Sequence, residues 1–158
     1  MSDTSEKRYR PNVAIIVTDG QGRVLSCRRA KPTYQTVQTV QGGIDPGETA
    51  EQAARRELQE ELGITDADYE LLARAPGVYR YDWPSEYLAS IPQEKNDYVG
   101  QDQHFFLARV PSNTPFRLDA HYREFSEVWW GTPQELVDRA WEGKRPGIEA
   151  ALRFFGLL

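Results

Sequence analysis

Residues 49–63 are the stretch that most restricts how this chain can fold. Thr49, with Gln52 three residues later, has the form of a capping box. Residues 50–62 contain only Ala, Gln, Arg, Leu and Glu, nearly all strong helix formers, and Gly63 stands where a left-handed C-terminal cap belongs. The spacing therefore predicts a helix over 50–62. On it, Glu57, Glu60 and Glu61 fall within an arc of roughly 100°. Like charges three and four residues apart repel by roughly 0.2–0.5 kcal/mol per pair, whereas hard oxygen donors grouped on one rigid element suit Mg²⁺ or Mn²⁺. Taken alone, the helix favours a plainer reading: Glu-rich helices are mostly solvated faces, and Arg56 with Glu60 would make an ordinary ion pair.

The rest of the sequence reads as one mixed α/β domain. The β-branched run Asn12–Thr18 predicts a buried strand, and Asp19-Gly20-Gln21-Gly22 a turn into a second strand over Val24–Arg28, the two forming a hairpin. Strands are also expected over Val37–Gln41, Leu71–Tyr81, His104–Val110 and Val128–Trp130, with a turn at Ile44–Glu48. Asp82–Gln103 lacks periodicity and reads as a long, functional loop. Thr132-Pro133 opens a helix running to Trp141, and a last helix is expected over Gly147–Phe155. Residues 1–8 read as a flexible arm, and 9–158 as a single domain. The formal net charge of −5 excludes a general nucleic-acid coat, so a polyanion would need metal ions or a few placed cations. One cysteine, Cys27, precludes an intrachain disulfide; with a polar N-terminus and no apolar run long enough to span a bilayer, the expected location is the cytoplasm. His104 and His121 lack ligand spacing and are expected at the surface or in loops. One of Trp129 and Trp130 is expected in the core and the other outside.

The segment before the helix changes its reading. The full string is Gly42-x5-Glu48-x7-Arg56-Glu57-Leu58-x-Glu60-Glu61-x-Gly63-Ile64, nine fixed positions over 23 residues. It resembles the signature box of the Nudix hydrolases at every defined position. The resemblance implies an α/β/α sandwich with a mixed β-sheet, and a site that binds divalent cations to activate water against a phosphoanhydride. It implies that Gly42 and Glu48 shape the loop and that Arg56 is structural. Glu57, Glu60 and Glu61 would be metal ligands together with the Gly42 backbone, one of the glutamates also serving as general base.

Further segments, Tyr9-Arg10-Pro11-Asn12-Val13, Gln41–Glu48, Tyr81-Asp82-Trp83-Pro84 and Gly100–Phe106, resemble the bacterial branch that acts on RNA 5′ ends and dinucleoside polyphosphates. That likeness, from Tyr9 to about Lys144, implies Arg10, Arg29, Gln41, Tyr81 and Lys144 as substrate contacts and Glu124 as a further metal ligand or base. The branch carries Trp and Pro before Gln-Gly-Gly; Val37-Gln38-Thr39-Val40 has neither, which bears on substrate preference. The implied substrate is a nucleoside polyphosphate or 5′-triphosphorylated RNA, with no membrane or DNA partner, handled by a monomer or small homo-oligomer. Two alternatives stand beside it: a pyrophosphatase of ADP-ribose or another nucleoside diphosphate sugar, and a non-catalytic nucleotide- or RNA-binding module.

Overall fold

A computed structural model describes residues 8–31, 37–92 and 97–158. Its backbone is an eight-stranded mixed sheet with helices on both faces. The central pair is β1 (Tyr9–Thr18) and β7 (Gly100–Arg109), parallel in unbroken register from Tyr9↔Gly100 to Thr18↔Arg109. The apolar run in β1 is continuous because both faces are covered. Val13, Ile15 and Val17 point to one side, against Leu58 and Leu62 of α1 (Ala50–Leu62); Ala14 and Ile16 point to the other, against Leu136 of α3 (Pro133–Arg139) and Ile148 and Leu152 of α4 (Arg145–Phe154). Cys27 is buried and packs among the α1-side residues.

The helix over 50–62 forms with the expected punctuation. The Thr49 side chain accepts from the Gln52 backbone, the Gln52 side chain accepts from the Thr49 backbone, and Gly63 closes the helix at φ 69°. Thr132 caps α3, with Pro133 in its first turn.

The strands depart further from expectation. The hairpin of β1 with β2 (Val24–Arg29) is registered only at Thr18↔Val24. Beyond that pair, the edge of β1 from Asn12 to Ile15 is taken by β4 (Val40–Gly43), while β2 pairs with β3 (Val37–Gln38) and β8 (Phe125–Gly131). The strand expected over Val37–Gln41 is thus two, broken at Thr39, each serving a different neighbour. Leu71–Tyr81 is also two strands, β5 (Glu70–Arg74) and β6 (Tyr79–Asp82), parted at Ala75-Pro76-Gly77, where Pro76 has no N–H to give a ladder and Gly77 takes φ 71°. Both pair with β7. The segment expected to be a loop, Asp82–Gln103, contains α2 (Ser85–Ser90) and the first residues of β7. Trp129 and Trp130 are both partly buried, one on each face of the sheet, so neither is simply outside. Of the N-terminal arm, residues 1–7 lie outside the described residues. Arg8 is tied down: its carbonyl accepts from Val99 N at 2.9 Å. Among the described residues, no helix is long and apolar enough to cross a membrane.

Candidate active site

At the N-terminal ends of β1 and β7 a cavity of about 260 Å³ is walled by Arg10, Asn12, Arg29, Gln41, Gly42, Gly43, Glu57, Glu60, Glu61, Gln101, His121, Tyr122 and Glu124. Every carboxylate expected from the sequence lies on it. Arg56 organises one wall. Its Nε and Nη2 fork onto Glu48 at 2.8 and 2.9 Å, Nη2 also donates to Gly43 O at 2.9 Å, and Nη1 reaches Glu57 at 2.8 Å and Glu60 at 3.3 Å. The planar guanidinium thereby ties the loop before α1 to the face of the helix. The fork holds the Glu48 carboxyl far below its usual range, at about 2. The Arg56–Glu60 pair of the plainer helix reading is thus one part of a wider set of contacts.

Glu57 and Glu61 are both buried, each about 7% exposed, with their carboxyls beside each other. Removal from water raises the Glu57 carboxyl and raises Glu61 strongly, with Glu57 and Glu124 adding like charge to Glu61. The Gln41 backbone N–H donates weakly to Glu61 at 3.4 Å. Gly42 is a glycine for want of room: a Cβ there would stand 2.0 Å from Glu57 Oε1. Across the cavity, Glu124 precedes β8 and pairs with Arg29 at 3.6 Å, while Arg29 Nε is buried without a partner among the described residues. The Tyr122 hydroxyl interacts with Glu124, which pushes that phenol up to about 12.

The remaining contacts come from the opposite face. Lys144, at the N-terminus of α4, donates to Gln41 Oε1 at 3.0 Å and sits 5.7 Å from the Tyr81 ring. Its ammonium end is its buried end, and desolvation, with Arg29 nearby, lowers it to about 7. The Arg10 guanidinium lies over Gly43, where a Cβ would meet Nη2 at 2.2 Å. Tyr81 is placed differently from the cavity residues. It is 6% exposed, its hydroxyl donates to Gln101, and Trp141 packs edge-on at 5.8 Å, so its ring lies beneath the site instead of forming its wall. Sequence reasoning did not single out Asn12, Gln101, Tyr122 or His121 as wall residues. The signal available for the first two was a polar residue inside an otherwise buried strand.

Residues 8–151 match the NUDIX domain model. This chain belongs to the Nudix family. It is 36% identical over 157 residues to the RNA pyrophosphohydrolase of Erythrobacter litoralis, spanning 98% of this chain and 94% of that one. It is 37% identical to the RNA pyrophosphohydrolase of Caulobacter vibrioides, over 98% and 90%, and 32% identical to Nudix hydrolase 25 of Arabidopsis thaliana, over 94% and 86%. In fold it resembles the E. coli dihydroneopterin triphosphate pyrophosphohydrolase, with a TM-score of 0.69 at 20% identity over 91% of this chain and 97% of that one. It also resembles the C. elegans Ap4A hydrolase, with a TM-score of 0.67 at 16% identity over 94% and 99%. The Nudix protein is a hydrolase of phosphoanhydride bonds.

Nudix hydrolases generally use divalent metals. Among the described residues, no three acidic, histidine or cysteine side chains converge on one point as they stand. Three of the box carboxylates, Glu48, Glu57 and Glu60, are held by Arg56, and Glu61 lies beside Glu57. The donor set still suits a hard dication: two carboxyls buried together carry mutual repulsion that no nearby cation fully offsets, and the donors are oxygens throughout.

Proposed function

We propose that this Nudix hydrolase removes pyrophosphate from the 5′-triphosphate end of RNA and shortens dinucleoside polyphosphates. The observation carrying this reading is that acidic and cationic groups face each other across one cavity, with Glu57, Glu60, Glu61 and Glu124 set against Arg10 and Arg29, and with Lys144 bonded to Gln41 behind the wall. The full-length likeness to proteins named RNA pyrophosphohydrolase supports it. Glu57, Glu60, Glu61 and Glu124, with the Gly42 backbone, would hold Mg²⁺ or Mn²⁺. When bound, the cation neutralises polyphosphate charge and lowers the pKa of an attacking water. Arg29, with its unpaired buried Nε, and Lys144 bind non-bridging oxygens and steady the charge that builds on the leaving phosphate. Arg10 flanks the terminal nucleotide. A carboxylate of Glu57, Glu60 or Glu124 takes the proton of the water as its oxygen bonds to phosphorus and the bridging P–O bond breaks.

The test is a side-by-side assay of 5′-triphosphorylated RNA, diadenosine tetraphosphate and ADP-ribose with Mn²⁺ and with Mg²⁺. The expected result is release of pyrophosphate from the RNA, cleavage of the tetraphosphate, and little turnover of ADP-ribose. A preference for ADP-ribose overturns the substrate assignment. Glu61→Gln is expected to abolish turnover of every substrate while the circular dichroism spectrum stays that of the wild type.

A further inference from the structure

Behind the cavity wall three amide side chains form a chain whose polarity one residue sets. As an ammonium, Lys144 can only donate. The Gln41 atom 3.0 Å from its Nζ must therefore be the carbonyl oxygen, Oε1. That same oxygen stands 3.1 Å from Gln103, so Gln103 must present its amide nitrogen there. The other hydrogen of the Gln103 amide is directed to Asn12 at 3.1 Å, which fixes that atom as the Asn12 carbonyl oxygen. The order is Lys144 to Gln41, and Gln103 to both Gln41 and Asn12. Asn12 and Gln103 are each 1% exposed and directly opposite in the β1–β7 register, so their amides have few other orientations.

The consequence falls on the cavity. Gln41 and Asn12 line it, Gln103 does not. With both carbonyls engaged behind the wall, Gln41 and Asn12 are left with their –NH₂ groups as the ends open to the cavity, and neither donates to a described residue. We infer that Gln103 is a positioning residue that turns the Gln41 and Asn12 amides so that both present N–H donors to acceptor oxygens of the substrate. The pair carries no charge of its own, unlike the groups around it. Gln41 lies between Gly42 and Lys144, which suits a non-bridging phosphoryl oxygen. The inference rests on the proposed placement of substrate in this cavity.

The test uses full-length protein and whichever of the three substrates the wild type hydrolyses best, so a wrong substrate assignment leaves it intact. Gln103→Met keeps the volume and removes the donor. Its KM is expected to rise about tenfold, the worth of one or two ordinary hydrogen bonds, with kcat nearly unchanged because these contacts hold ground state and transition state alike. In an Asn12→Ala/Gln41→Ala background, Gln103→Met is expected to add nothing to KM. Gln103→Glu, which places an acceptor against both carbonyls, serves if the methionine variant does not fold, and the same rise in KM is expected. Gln41→Glu keeps both bonds behind the wall and replaces the outward donor by an oxygen; it is expected to raise KM with an unchanged melting temperature. A wild-type KM in the Gln103 variants, or a further rise in the double-alanine background, overturns the inference, and a fall in melting temperature without a change in KM assigns Gln103 a purely structural role.

Discussion

Gly42 and Gly63 flank the same helix and are small for opposite reasons. Gly42 has no left-handed backbone to satisfy, so alanine is acceptable to its own conformation. The obstacle is Glu57, whose carboxylate occupies the space a Cβ would take, with Oε1 at 2.0 Å and Cδ at 2.1 Å. Gly42→Ala should displace that carboxylate and lower kcat by at least about a hundredfold, the usual cost of misplacing a catalytic group by an ångström. Gly63 takes φ 69°, and a Cβ there would stand 2.6 Å from the Arg117 Cβ. Gly63→Ala should cost about 1–2 kcal/mol of stability from the left-handed strain alone, with KM and kcat nearly unchanged. Steady-state kinetics and urea denaturation on both variants check the pair. If Gly42→Ala loses stability but keeps full activity, Glu57 does not act in the position it occupies.

Helix α1 and the loop before it behave as one clamped element because Glu48 and Arg56, eight residues apart, meet in a two-pronged ion pair. The Glu48 carboxyl falls from 4.5 to about 2 on folding. An acid depressed in this way contributes its full stability above its unfolded pKa and loses it as pH falls through the folded one. Wild-type stability should therefore drop between pH 4.5 and 2, by up to about 3 kcal/mol from this group. Glu48→Gln should be less stable at neutral pH and have a shallower acid limb, as read by urea denaturation across that range. An equally steep limb in the variant would mean that the clamp is not what the acid breaks. This element was legible in the sequence because all its signals are local: the cap at Thr49, the helix formers, the stop at Gly63, and a box whose fixed positions lie within two dozen residues. The strands were less so. Nothing within Val24–Arg29 says that β8 is its partner instead of β1, since pairing is decided by which edge is free after the whole sheet assembles. Pro76-Gly77 was a local breaker lying inside a run that otherwise read as strand. The link from Gln103 to Asn12 joins residues 91 apart and has no sequence-local trace.

At the scale of the whole molecule, the sandwich brings two chemistries to one end of the sheet. α1 supplies buried carboxyls from one side, while β4, the start of α4 and the N-terminal ends of β1 and β7 supply a lysine and amides from the other. The acidic half is unfavourable without a cation, and folding and metal binding should therefore be linked through pH. Glu57 and Glu61 have raised pKa values in the folded protein. Between the unfolded value near 4.5 and the raised one, the folded state holds more protons than the unfolded state, so metal-free stability should fall as pH rises through that window. A divalent cation competes with those protons and stabilises only the folded state. The rise in melting temperature on adding Mn²⁺ should consequently be larger at pH 8 than at pH 5, because lower pH protonates more of the pair. Glu61→Gln removes one of the two interacting charges; it should make the metal-free protein more stable at pH 8 and shrink the Mn²⁺ shift there. Thermal melts of both proteins, with and without Mn²⁺, at the two pH values decide it. Equal metal shifts at pH 5 and pH 8, or an undiminished shift in Glu61→Gln, would show that the buried pair is not where the cation acts.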